Sequence, residues 1–210
     1  MANSDAPPIS QLPGMVLDRP VVVFDLEWTA WEGSRERNWS RPNEEREIIE
    51  IGAVKLDGAD GLKEIVAFEI LVRPARNPIV SNYFTELTGI TQTLIDNEAM
   101  PFREAIALFE GFVGIDNAPI LSFSHDEGVL RHNCLINDLP CPFADAQFHN
   151  VAPAIAGAAG REPDRFSTSD LPAIFAFPPP AEAHRALGDA RCLAETLRLL
   201  CGGAKTMTAH

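Results

Sequence analysis

Val21-Val22-Val23-Phe24-Asp25-Leu26-Glu27 is the stretch whose reading decides how this chain folds. A β-branched run of this kind suits the pleated, half-buried surface of a strand. Strand side chains alternate between faces, so Asp25 and Glu27 project together while Phe24 and Leu26 point the other way. Carboxylates this close repel, and neither can be buried uncompensated. Two readings are open from the triplet alone. The strand runs out into solvent with its last charges hydrated, or a hard divalent cation takes both carboxylates as oxygen ligands.

A second acidic signature lies far along the chain, in His184-Arg185-Ala186-Leu187-Gly188-Asp189-Ala190. A helix turns about 100° per residue, so positions five apart point roughly 140° apart. His184 and Asp189 therefore cannot face one site from within a regular helix. The workable arrangement puts His184 on an approach loop, with Gly188 easing entry and Asp189 in the first helical turn. The spacing predicts a helix from Ala190 to Cys201, with Leu193, Leu197 and Leu200 as its apolar stripe and Gly202-Gly203 as its stop. Asp189 falls on the side of that stripe, at the edge of the face packed on the sheet.

Outward from these segments, strands are expected at Val21 to Glu27, Ile48 to Leu56, Glu64 to Val72, Ile120 to Phe123 and Gln147 to His149. The Asp57-Gly58 signal makes the second and third antiparallel neighbours. Helices are expected at Ser81 to Thr88, Pro101 to Val113, Asp126 to Asn137 and Val151 to Ala159. Pro172 should interrupt the segment after that, and Pro178-Pro179-Pro180 reads as a stiff spacer before His184. Strands first, then alternating helices and strands, suggest an α/β fold: a mixed five-stranded sheet flanked by helices. Residues 1–19 read as a flexible leader, 20–203 as the domain and 204–210 as a tail.

The chain has 210 residues, 46% of them hydrophobic, which suits one domain with a real core. No apolar stretch is long enough to span a bilayer, so no membrane partner is expected. No basic segment followed by a long apolar one opens the chain, and Cys134, Cys141, Cys192 and Cys201 form no C-x-x-C pair. The expectation is a cytoplasmic protein with reduced thiols. A net charge of -13 argues against coating long duplex nucleic acid through a basic face. It does not exclude a site that grips only a strand end, where bound cations offset part of the charge.

Taken together, the motifs resemble those of the DnaQ-like, or DEDDh, 3'-5' exonucleases, a superfamily that includes proofreading subunits, RNase T and oligoribonuclease. The first motif corresponds to Phe24-Asp25-Leu26-Glu27. The last corresponds to His184 through Ala190, close to H-x-A-x-x-D-A. Ser122-Phe123-Ser124-His125-Asp126 fits the family's acid after a strand, which makes Asp126 the candidate. Glu47-Ile48-Ile49-Glu50-Ile51-Gly52-Ala53-Val54 and Leu87-Thr88-Gly89-Ile90-Thr91 also match, so the resemblance spans roughly residues 20 to 201.

The resemblance implies a ribonuclease-H-like fold and two-metal phosphodiester hydrolysis at the 3' end of single-stranded or short RNA or DNA. It implies two Mg²⁺ or Mn²⁺ ions held by Asp25, Glu27 and Asp189, with Asp126 completing the site partly through water. His184 becomes the general base, a role that suits an imidazole. The chain departs from the commonest pattern after Glu27, where Trp28-Thr29-Ala30-Trp31 opens a long charged loop. This looks more like the ERI-type RNA exonucleases. Trp28, Trp31 and Trp39 lie there with Arg35, Arg37, Arg41 and Arg46. Either the aromatics stack on unpaired bases and the arginines pair with phosphates, or the tryptophans pack the loop and the arginines pair with Glu32, Glu36, Glu44, Glu45 and Glu47. Trp28, Thr29, Trp31 and Leu87 are the expected substrate contacts.

Alternatives from other classes are an inactive nucleic-acid-binding or regulatory module on the same fold, which the complete acid set and His184 argue against. A kinase or ATPase would need a G-x-x-x-x-G-K-[ST] loop, which is absent. RNA versus DNA and the oligomeric state, a homodimer included, stay open.

Overall fold

The computed structural model describes residues 19–114, 118–180 and 184–202. The expected leader, save Arg19, and the expected tail lie outside these residues. The strands are β1 (Val21–Trp28), β2 (Ile48–Asp57), β3 (Lys63–Arg73), β4 (Met100–Pro101), β5 (Ile120–Ser122) and β6 (Phe148–Asn150). The helices are α1 (Asn82–Thr88), α2 (Gln92–Glu98), α3 (Phe102–Val113), α4 (Asp126–Ile136), α5 (Ala152–Ala159), α6 (Leu171–Phe175) and α7 (Ala186–Gly202). The strands build a single sheet in the order β4-β3-β2-β1-β5-β6. β1, β2 and β3 run antiparallel, whereas β5, β6 and β4 each run parallel to their neighbours. This is the mixed sheet flanked by helices that the resemblance implies.

The alternation in β1 sorts the core into two layers. Val21 and Val23 face α5 and α7, meeting Ile155, Leu193 and Leu197. Val22, Phe24 and Leu26 face α3 and α4, meeting Phe109, Leu130 and Cys134. A smaller cluster of Ile49, Leu71, Phe84, Ile90 and Ile95 seats α1 and α2 beside the loop that follows β1.

The expectations need four corrections. The sheet has six strands, not five, because Met100–Pro101 pairs with Val72 and Arg73 before α3 begins. Proline is tolerated at such an edge, where its missing N–H breaks no ladder bond. Helix α2 was not anticipated; its start is fixed by the Thr91 hydroxyl, which accepts the Leu94 amide at 3.2 Å. Pro172 does not interrupt a helix but sits in the first turn of α6, where its fixed φ is welcome. Finally, α7 begins at Ala186 rather than Ala190, so Gly188 belongs to its first turn.

Candidate active site

Asp25 and Glu27 lie near the C-terminal end of β1, the central strand. Both share the α7 face, and Asp189 comes down onto them from the first turn of α7. One carboxylate oxygen from each of Asp25, Glu27 and Asp189 lies within 4.8 Å of the others. Asp126 opens α4 and approaches from the other edge. β5 pairs with β1 only at Val22 and Val23, so the Leu26 amide has no strand partner on that side. Asp126 Oδ1 accepts it at 3.2 Å, which pins α4 to the strand between the two acids.

Burial and mutual repulsion push all four carboxyls up. Asp25 lies well above the ordinary range, first because it is buried and then because Asp126, Asp189 and Glu27 face it. Glu27 is raised well above its usual value by burial and then by Asp189 and Glu50. Burial lifts Asp126 to about 8. Asp189 is also raised by burial, against hydrogen bonds from the Thr168 hydroxyl and the His184 backbone. Thr168 reaches Asp189 Oδ2 at 3.2 Å, while Oδ1 is buried with no hydrogen-bond partner. A buried oxygen without a donor is costly. An all-oxygen set of crowded carboxylates, one with an orphaned lone pair, is the donor set that a hard divalent cation satisfies.

His184 sits in the turn before α7, exposed and with φ of 60°. Together with Asp25, Glu27, Asp126 and Asp189 it lines one cleft of about 480 Å³. The expected base and acids therefore converge although they come from both ends of the chain.

The expected substrate contacts divide. Trp28 and Leu87 line the cleft. Thr29 does not: it is buried, its hydroxyl donating to the Glu45 carbonyl and accepting the Glu47 amide at 3.0 Å. A side chain occupied in closing its own loop has no group left for a ligand. Trp31 is not among the cleft-lining residues either, and its amide bonds the Ser34 hydroxyl. Trp39 is the tryptophan that joins Trp28 at the cleft, 6.2 Å away between ring centroids. Its indole N–H donates to the Thr29 carbonyl at 2.9 Å, and the Arg46 guanidinium lies 4.3 Å over its ring. Of the loop arginines, Arg37 pairs with Glu44, whereas Arg35 and Arg46 line the cleft.

Sequence reasoning missed several cleft residues. His125, Phe166 and Thr168 line it as well, whereas Tyr83, one turn before Leu87 on α1, belongs to the stretch 82–87 that the sequence already assigns to the substrate groove. No local pattern marks the first three, because the cleft is assembled by elements distant in sequence. The His132 ring meets Glu45, and Cys134 is buried in the core. Among the described residues, no helix is long and apolar enough to cross a membrane.

This geometry can be set beside known proteins. The chain is 39% identical over 89 residues to the 3'-5' exonuclease Snipper of Drosophila melanogaster, covering 42% of this chain and 30% of Snipper. It is 30% identical over 125 residues to the probable 3'-5' exonuclease KapD of Bacillus subtilis, covering 59% of this chain and 57% of KapD. The chain thus spans less than two thirds of the length of either relative. The fold is similar to that of the nuclease domain of 3'hExo, a DEDDh family member solved with bound rAMP, with a TM-score of 0.73 at 22% identity, covering 88% of this chain and 92% of that one. A family model described as Exonuclease matches residues 22–197, and the chain accordingly belongs to the RNase_T exonuclease family.

Proposed function

We propose that this chain is a metal-dependent 3'-5' exonuclease that hydrolyses phosphodiester bonds at the 3' end of single-stranded or short RNA or DNA. The observation that carries the reading is the convergence of Asp25, Glu27 and Asp189, with ligand atoms within 4.8 Å, on a cleft that also holds Asp126 and His184. Bound Mg²⁺ or Mn²⁺, as a pair of ions, would activate the attacking water and stabilise the leaving oxygen. Asp25, Glu27 and Asp189 would hold the ions, and Asp126 would complete the set. His184, on the exposed turn before α7, takes the proton of the attacking water as general base. The open cleft admits a strand end, and Trp28, Trp39 and Leu87 offer it apolar surface. Similar solved structures include a 3'-exonuclease with 3'-end specific recognition of a histone mRNA stem-loop and an E. coli ExoI–ssDNA complex, which supports a strand end as the substrate class. Free thiols at Cys134, Cys141, Cys192 and Cys201 suit a reducing compartment such as the cytoplasm.

The test uses 5'-labelled single-stranded RNA and DNA oligomers with Mg²⁺ or Mn²⁺, comparing wild type with Asp25→Ala and His184→Ala. The expected result is stepwise shortening from the 3' end that both substitutions abolish. Shortening that survives Asp25→Ala would refute the site, and none in the wild type with either ion would refute the activity.

A further inference from the structure

Glu50 is a buried carboxylate that the metal reading does not use. It is 0% exposed and stands directly across the β1–β2 pair from Glu27. Opposite residues of an antiparallel pair share a face, so a fifth acid lies beside the site. Its oxygens are engaged elsewhere. Oε2 accepts the Ala186 amide at 2.8 Å, and Arg185 Nε donates to the two oxygens at 2.9 and 3.1 Å, with Nη2 bound as well. Arg185 also reaches Glu69 on β3 at 3.4 Å. Ala186 is the first residue of α7, and its amide is one of the donors that a helix start leaves without an internal partner. Arg185 immediately follows His184.

We propose that Glu50 is a positioning residue: by clamping Arg185 and Ala186 to β2 it sets His184 on one side of the clamp and Asp189 on the other. The two groups have different jobs, yet they leave the same short segment on either side of the clamp in sequence, so one anchor between them fixes both. His184 carries φ of 60°, a left-handed conformation that a non-glycine residue keeps only where its surroundings impose it. The bidentate fork from Arg185 supplies that constraint, with the planar geometry that distinguishes arginine from lysine. Gly52, two residues on and on the same face, leaves room for the clamp: a Cβ there would lie 2.0 Å from the Leu187 nitrogen.

The proposal rests on the exonuclease reading, so its test has one arm that needs no activity. Glu50→Gln and Arg185→Lys are compared with wild type and with Glu64→Gln. The last removes the Arg191–Glu64 pair, which ties α7 to β3 away from the cleft. In the first arm, kcat and KM are measured on a single-stranded oligomer. Glu50→Gln and Arg185→Lys should lose about tenfold or more in kcat, as losses of outer partners of metal sites do, with KM unchanged. In the second arm, trypsin is added to metal-free protein and cleavage after residue 185 is followed by fragment mass. Both variants should be cut severalfold faster than wild type, and Glu64→Gln should match wild type in both arms. Wild-type kcat in Glu50→Gln, or no faster cleavage, overturns the proposal. So does an equal loss of kcat in Glu64→Gln, which would mean a general loosening of α7. If wild type shortens no oligomer, the exonuclease reading fails, and the trypsin arm still decides whether Glu50 holds the turn. If Glu50→Gln does not fold, Arg185→Lys carries both arms.

Discussion

A carboxylate can hold an ion only if its other hydrogen bonds leave a lone pair facing that ion. Asp189 meets this condition because Thr168 occupies Oδ2 and leaves Oδ1 buried and unpartnered. Thr168→Val keeps the shape and deletes the donor. Since that bond holds the Asp189 carboxyl down, losing it raises the carboxyl further and makes the proton a stronger competitor for the site. The Mn²⁺ concentration for half-maximal activity should rise about tenfold, more steeply at low pH; an unchanged Mn²⁺ titration would remove Thr168 from the site. Tryptophans are judged by the same kind of local geometry. Stacking on an unpaired base is worth about 1–3 kcal/mol, so Trp39→Ala should raise KM for single-stranded oligomers roughly 5- to 150-fold. Trp31→Ala should leave KM unchanged. Unchanged KM in both, with only a lower Tm, would make the tryptophans packing residues. The acid pair and His184 could be read in the sequence because alternation and spacing are local properties. Thr168 and Glu50 could not, since each acts through a partner distant in sequence.

At the scale of elements, the site depends on how closely α7 approaches the sheet. Asp25 pairs with Gly52 and Glu27 with Glu50, so both β2 residues share the face on which α7 lies. The backbone of Ala186 and Leu187 rests on Gly52: an added Cβ would fall 2.0 Å and 2.2 Å from backbone atoms of Leu187 and Ala186. Backbone cannot swing aside as a side chain can. Gly52→Ala must lift the start of α7, and Asp189 with it. The expected outcome is a loss of about 1–3 kcal/mol in urea unfolding, typical of overpacking, together with loss of the nuclease rate. Full activity in Gly52→Ala would show that Asp189 need not sit this low. The strands β1, β2 and β3 were legible because each carries its own periodicity and its turn signals. The start of α7 was misplaced by four residues for a definite reason: its cap is Glu50, 136 residues away in sequence, not a local Ser, Asp or Asn. β4 escaped for the opposite reason, since two residues carry no period at all.

At the scale of the molecule, crowding four acids into one cleft makes stability depend on protons and, under the proposed function, on metal. Asp126 is lifted from its ordinary 3.8 to about 8, and Asp25, Glu27 and Asp189 are shifted in the same direction. Between those limits the folded chain binds more protons than the unfolded one. The linkage relation then makes stability fall as pH rises through this window. Under the proposed function divalent ions should act oppositely, because they would bind the deprotonated carboxylates and favour the folded state by mass action. In EDTA, Tm should drop between about pH 5 and pH 8, and for a chain of this size each kcal/mol lost is about 2–4 °C. Added Mn²⁺ should cancel the drop, stabilising most at pH 8 and little at pH 5. The net charge of -13 also opposes compaction at high pH, but that repulsion is screened by salt and spread over the surface. Asp126→Asn separates the two effects: it deletes one titrating site while changing the net charge by one unit. Its metal-free Tm should be less dependent on pH than that of wild type at the same ionic strength. A metal-free wild-type Tm that is flat across the window would mean that these carboxylates hold no extra protons at neutral pH, and a Tm at pH 8 that Mn²⁺ does not raise would mean that they form no metal site.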